Sequence, residues 1–313
     1  TFSLLLISTL LFLNTSCKDD KVTLPSCEGV EWEYEGAEGP DSWGGLCTDY
    51  TACGGKVQSP INIVPPANNA SLSAIPQTYA ATATHIVNKG HTIQFNYDAG
   101  SSIVVNGETY TLLQFHTHTH SEHTVSGASY PMEIHFVHKN DATGKLAVIG
   151  VFVEEGAEND LLKHFVEHLP TTKDATFEAA DVFSAADFMP ADKSYFTYAG
   201  SLTTPPCSEI VTWIVMEHPI HASAVQIHDF ETLEHENARP VQPLEVTHDA
   251  VDVQLVHRQR PGQGKAGRYR FRRHADVAHL QRAVAHRQEG VCRGTRRADL
   301  RYRQFTGYPY RRD

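Results

Sequence analysis

The sequence predicts a mainly β domain of the α+β class with a few short helices. From Trp32 to about Leu244, short apolar or alternating runs are broken repeatedly by Gly, Pro, Asn and Asp. Very few stretches carry a helical period. The chain has 313 residues, 41% of them hydrophobic, enough to bury a substantial core. In chain order, the strand-like runs are Ile86–Val87, Thr92–Tyr97, Ser102–Val105, Tyr110–His116, Met132–Lys139, Leu146–Glu154 and Ile210–Met216. The clearest helix is Asp160–Leu169, with Asn159 as cap and Pro170 as stop.

Two of these strands carry a chemical signal. Gln114-Phe115-His116-Thr117-His118 alternates apolar and polar residues, so His116 and His118 project from one strand face. Met132-Glu133-Ile134-His135-Phe136 brings a third histidine if the two strands pair. Three neutral imidazoles with an open fourth position are what a catalytic zinc needs. His120 lies two residues beyond His118 and would share its face if the strand continued. As a fourth ligand it would close the site; an exposed histidine, or one supporting the ligands from behind, is expected instead. His164-Phe165-Val166-Glu167-His168 also spells a zinc-peptidase pattern. Its helix is short, however, and Leu161, Leu162, Phe165, Val166 and Leu169 form its buried stripe with Glu167 nearly opposite, which reads as an amphipathic surface helix.

The net charge of −11 hides a split. Residues 1–244 hold nine Lys and one Arg, Arg239, against 30 acidic residues, whereas residues 245–313 hold 15 Arg and one Lys against seven. The Arg-rich blocks of the tail read either as a patch for an anionic polymer or as an out-of-frame extension, and the abrupt switch from Lys to Arg favours the second. No nucleic-acid partner is therefore expected. Phe2–Leu13 is an apolar run too short to span a bilayer and suited to a signal segment, with no Met or basic stretch before it, so residues 1–17 read as a truncated leader. Asn14-Thr15-Ser16-Cys17 followed by Lys18-Asp19-Asp20 resembles a bacterial lipoprotein signal with Cys17 lipidated. That would place the protein in the periplasm or on the cell surface, touching the membrane only through its anchor. Residues 18–30 read as a polar tether, 31–245 as the folded domain and 246–313 as an anomalous tail. Six cysteines fit an oxidising compartment, and spacing alone pairs none of them.

Further motifs surround the histidines: Gln58-Ser59-Pro60-Ile61-Asn62-Ile63, Ser121-Glu122-His123-Thr124-Val125, Gly200-Ser201-Leu202-Thr203-Thr204-Pro205-Pro206-Cys207, Val211-Thr212-Trp213-Ile214-Val215, and Asn237-Ala238-Arg239-Pro240-Val241-Gln242-Pro243-Leu244. Together, and in this order, they resemble the α-class carbonic anhydrases from about Trp32 to Leu244. The resemblance implies a large central, mostly antiparallel twisted sheet and reversible hydration of CO2 to bicarbonate by zinc hydroxide. It implies Zn2+ on His116, His118 and His135, with Gln114, Glu133 and the carbonyl of Asn237 behind them. Thr203 would be the gatekeeper hydroxyl and Glu122 the carboxylate that accepts its proton. Val137, Val148, Leu202, Val211 and Trp213, with Thr203 and Thr204, would line the CO2 site, although strand core is the ordinary reading of such residues. His91, in Asn88-Lys89-Gly90-His91-Thr92, would shuttle protons, against the plainer reading of an exposed turn histidine. Cys53 and Cys207 would form a disulfide, with Cys27–Cys47 as a second candidate pair. Bacterial members are often dimers, so a homodimer is an open expectation. Two other functions stay open at this point. A non-catalytic binding relative would show itself by a lost ligand, and a peptidase on residues 164–168 would keep its activity in His116→Ala.

Overall fold

The computed structural model describes residues 24–65 and 72–243, and the backbone of 257–259. The leader with Cys17 and nearly all of the 246–313 tail lie outside the described residues. In chain order the strands are β1 (Asn62–Ile63), β2 (Gln77–Thr78), β3 (Thr82–Asn88), β4 (Ile93–Asn96), β5 (Ser102–Val105), β6 (Glu108–His118), β7 (Thr124–Val125), β8 (Met132–Lys139), β9 (Leu146–Glu155), β10 (Thr176–Phe183), β11 (Tyr195–Gly200), β12 (Val211–Met216), β13 (Ile220–Ala222) and β14 (His257–Gln259). The α-helices are α1 (Trp43–Leu46), α2 (Asp160–Val166) and α3 (Ala224–Glu234).

One large sheet runs β10-β3-β4-β6-β8-β9-β12-β11-β14, with β2, β5 and β13 joined at its margins. It is mostly antiparallel, as expected, but β12 and β13 both run parallel to β9. The central strands read as continuous apolar runs because both faces are covered. In β9 every residue from Ala147 to Val153 is buried. One face packs the main core, where Phe95, Phe115 and Phe136 meet Phe165 of α2 and Phe188. The other packs a second cluster of Ile61, Ile63, Val148, Phe152, Phe196, Tyr198, Val211, Trp213 and Val215. The site lies beside this second cluster.

Several expected elements lengthen or shorten. The run at 110–116 becomes β6 over 108–118, which carries His118 into the sheet. Helix α2 stops at Val166 rather than Leu169, while Asn159 caps it by accepting from the amides of Leu161 and Leu162. Residues 24–30, read as tether, are fastened to the domain: Cys27 is bonded to Cys47, and the Thr48 amide donates to the Pro25 carbonyl. The backbone of 257–259 pairs with Tyr195–Thr197, so sheet pairing continues beyond the boundary drawn at 245. Among the described residues no helix is long and apolar enough to cross a membrane.

Candidate metal centre

Strand register assembles the three histidines. In the antiparallel β6–β8 pair, His116 stands directly opposite His135, and His118 opposite Glu133. A slip of one residue would turn the whole set to the other face. The ring centroids are 5.1 Å apart for His116–His118, 5.4 Å for His116–His135 and 4.6 Å for His118–His135. One ligand atom from each lies within 4.8 Å of the others.

Each ring has its second nitrogen facing an acceptor. Nδ1 of His116 lies 2.9 Å from Gln114 Oε1, and Nδ1 of His118 lies 2.8 Å from the Asn237 carbonyl. Nε2 of His135 is 3.0 Å from Glu133 Oε1, an ion-pair contact whose alignment falls short of a hydrogen bond. Nε2 of His116, Nε2 of His118 and Nδ1 of His135 are thereby left to the common space. Nε2 of His118 is buried with no hydrogen-bond partner, a costly arrangement unless something fills the gap. Burial, then the neighbouring imidazoles, hold His116 well below the usual histidine range. Burial also lowers His118, against the pull of Glu122. Both rings are therefore neutral, with lone pairs free for a metal. Burial would lower His135 too, but Glu133 outweighs it and raises that ring.

Glu133 anchors the centre. Its Oε2 accepts from the amides of Glu122 and His123 at 3.0 and 2.9 Å, and its Oε1 stands 2.8 Å from His123 Nδ1. Burial alone would raise this carboxyl, but His123 and His135 hold it well below the usual carboxylate range. His123, Glu133 and His135 also lie close enough to grip an ion, but Glu133 is already committed to N–H donors. The group serves as support rather than as a second ligand set. Glycine is required at 150, opposite His135 in β9, because a Cβ there would sit 2.7 Å from Glu133 Oε1. The role of His123 was not read from the sequence. It lies inside the Ser121–Val125 motif, and its Nε2 faces the Tyr198 hydroxyl at 2.5 Å, which in turn is 3.1 Å from Ser59 Oγ.

The other expected residues surround this centre. Glu122 is buried; its Oε1 accepts from the Arg239 amide at 2.9 Å, while Oε2 has no hydrogen-bond partner and lies 3.5 Å from His118 Nε2. Thr203 is buried, yet its hydroxyl does not bond Glu122. Arg239, the lone arginine of residues 1–244, is buried where it donates to Gln58 Oε1, the Ser59 carbonyl and the Cys53 carbonyl. Val148, Val211 and Trp213 belong to the second apolar cluster, with Val137 and Leu202 packed against it. The Trp213 ring is 4.8 Å from that of His135. Thr204 is partly buried beside Thr203. Cys53 and Cys207 are bonded, tying the N-terminal segment to the Thr203 loop. The His91 ring stacks on Trp32 at 4.3 Å, with Nδ1 3.7 Å from Glu33 Oε2.

His120 does not share the ligand face. β6 ends at His118, and His120 is exposed with Nδ1 3.0 Å from the Ser121 carbonyl. At the end of α2, the rings of His164 and His168 lie 5.6 Å apart with no third ligand grouped beside them among the described residues, and Glu167 is exposed.

A buried three-histidine centre, each ring oriented by a second partner and flanked by an apolar wall, defines the class: a strand-borne site able to hold a metal ion with room for a small apolar molecule. The sequence matches the eukaryotic-type carbonic anhydrase family over residues 38–269, so the chain belongs to that family. A carbonic anhydrase from Nostoc sp. is 42% identical over 71% of this chain and 87% of its own length. The structure of a hyperthermostable carbonic anhydrase from an active hydrothermal vent chimney superposes with a TM-score of 0.67 at 42% identity, covering 73% of this chain and 99% of that one. That of the α-carbonic anhydrase from Thermovibrio ammonificans, in complex with the inhibitor sulfanilamide, gives 0.68 at 38% identity over 74% and 99%.

Proposed function

We propose that this chain hydrates CO2 reversibly to bicarbonate and a proton, with zinc held by His116, His118 and His135. The observation that carries this reading is the convergence of three ring nitrogens whose opposite nitrogens each face an acceptor. The donor set fits zinc: three imidazoles on a rigid sheet, each with one nitrogen left to the common space. Zinc bound there would supply an oxygen nucleophile near neutral pH.

The chain's own residues do the rest. Val137, Val148, Leu202, Val211 and Trp213 offer CO2, which carries no charge to grip, an apolar wall. Glu122 Oε2 is buried without a hydrogen-bond partner, and the Thr203 hydroxyl would turn to it when the site is loaded. Donating a hydrogen bond to Glu122 would leave the Thr203 oxygen to accept one from the nucleophile, turning a lone pair toward the substrate. Thr204 borders the same space. His91 takes the released proton outward.

Zinc content together with stopped-flow CO2 hydration on the full chain tests the reading. The expected result is one zinc per chain and hydration lost in His116→Ala. A zinc-replete chain that fails to hydrate CO2 would overturn it. Export to the periplasm or cell surface, with Cys17 as lipid anchor, belongs to the same proposal and is supported by two disulfides, which suit an oxidising compartment. Labelled fatty acid should enter the wild-type chain and not Cys17→Ser.

A further inference from the structure

Directly behind the metal centre lies a buried carboxyl group that the reaction does not use. Thr117 sits between the two ligands of β6 but points to the opposite face, where its hydroxyl donates to Glu234 Oε1 at 2.5 Å. The same oxygen accepts the Ile93 amide at 2.8 Å. Thr92 Oγ1 stands 3.2 Å from it and 2.7 Å from the Thr117 carbonyl, and its single proton goes to the nearer acceptor. Glu234 is 3% exposed, and its Oε2 has no hydrogen-bond partner. A group so costly to bury needs a return.

The return is visible in what it joins. His91 sits on a tight turn: the Gly90 amide donates to Asn88 Oδ1, Gly90 adopts φ +86°, and the Lys89 amide donates to the Thr92 carbonyl. The near side of that turn is held by Asn237, whose amide donates to the His91 and Thr117 carbonyls at 2.9 and 3.0 Å. The far side, Thr92–Ile93, is held by Glu234. The last residue of α3 thus fastens the His91 turn and the ligand strand to one oxygen atom.

We propose that Glu234 is a positioning residue for proton transfer, fixing the His91 turn against the strand that carries His116 and His118. This rests on the shuttle role given to His91 above. Proton relay through an imidazole depends steeply on where the ring stands, whereas the CO2 wall lies across the sheet and does not touch Glu234.

The test uses the zinc-loaded full chain and the variants Glu234→Ala, Glu234→Gln, Thr92→Val, His91→Ala and the His91→Ala/Glu234→Ala pair. In weak buffer, Glu234→Ala should lower kcat by about fivefold with kcat/KM unchanged, and added imidazole should restore it. Glu234→Gln keeps an acceptor at Oε1 and should stay near wild type, and Thr92→Val should fall between. Amide exchange at Ile93 should rise in Glu234→Ala while that at Val148 does not, a readout independent of turnover. If Glu234 acts through His91, the pair is no slower than His91→Ala alone. An additive pair, a parallel fall in kcat and kcat/KM, or unchanged kcat in Glu234→Ala would overturn the proposal. Should Glu234→Ala fail to fold, Thr92→Val and the pair it forms with His91→Ala decide by the same criteria. A silent His91→Ala would overturn the shuttle reading itself, and a buffer-rescued loss confined to His91→Ala would overturn only the role of Glu234.

Discussion

Two histidine clusters in this chain spell metal motifs, and only one of them is built as a site. On β6 and β8, three rings converge, and each has an acceptor behind it in Gln114, Asn237 or Glu133. At the end of α2, His164 and His168 have no such support. His168 lies flat on Phe177 at 4.3 Å, and no third ligand joins the pair among the described residues. Spacing is the same kind of signal in both places. What separates them is the surrounding shell, which fixes the tautomer and aims the lone pair, while burial lowers His116 and His118.

The largest way to break this contrast is to remove a ligand. His116→Ala or His118→Ala should weaken zinc binding by more than about 100-fold, beyond what loss of an orienting partner costs, and should abolish CO2 hydration. Equilibrium dialysis against a zinc chelator measures it. Next comes the shell alone. Glu133→Gln keeps the shape but removes the charge that His123 and His135 share, so zinc affinity should fall by about 10–100-fold with the fold retained. Equal affinity in this variant would show that the shell is ornamental and that the contrast between the two clusters rests on ligand count alone.

The back of the ligand strand gives a pH-dependent effect. Burial pushes the Glu234 carboxyl up to about 8, only partly opposed by its bonds from Thr117 and Ile93 and by the nearby Thr92 hydroxyl. A carboxyl raised in the folded state favours folding while protonated, so its contribution is complete below about pH 4.5 and is lost as pH rises toward 8. The Tm of Glu234→Gln minus that of wild type should therefore increase between pH 5 and 8.5. A flat difference would place the carboxyl at its ordinary value. The smallest effect belongs to the helix. His164→Ala/His168→Ala should leave zinc content and hydration unchanged and cost about 1 kcal/mol from the lost stack on Phe177.

How much of this could be read in advance depended on chemistry rather than on position. Met132–Lys139 and Leu146–Glu155 are legible because strands buried on both faces become apolar runs. Strand β10 is not, since it lies at the sheet edge with most residues exposed and carries Ala and acidic residues in place of an alternating pattern. Helix α3 hides for another reason. Its buried stripe is Gln226, Ile227, Phe230 and Glu234, half of it polar, so the helical period does not register as hydrophobic. The ligands stand out because three histidines are rare and motif-bound, and their strand spacing states which face they share. Their support is harder to read. The Asn237 carbonyl is a backbone group that only the family resemblance could assign, and His123 carries its meaning through partners 10 and 75 residues away. Thr117 and Glu234 look like solvent-facing polar residues until the packing of α3 buries them together.

Zinc per chain, measured by elemental analysis after dialysis, tests the central claim most directly. Wild type and His164→Ala/His168→Ala should each hold one zinc, and His118→Ala should hold essentially none. Zinc retained by His118→Ala and lost by the helix variant would contradict the account.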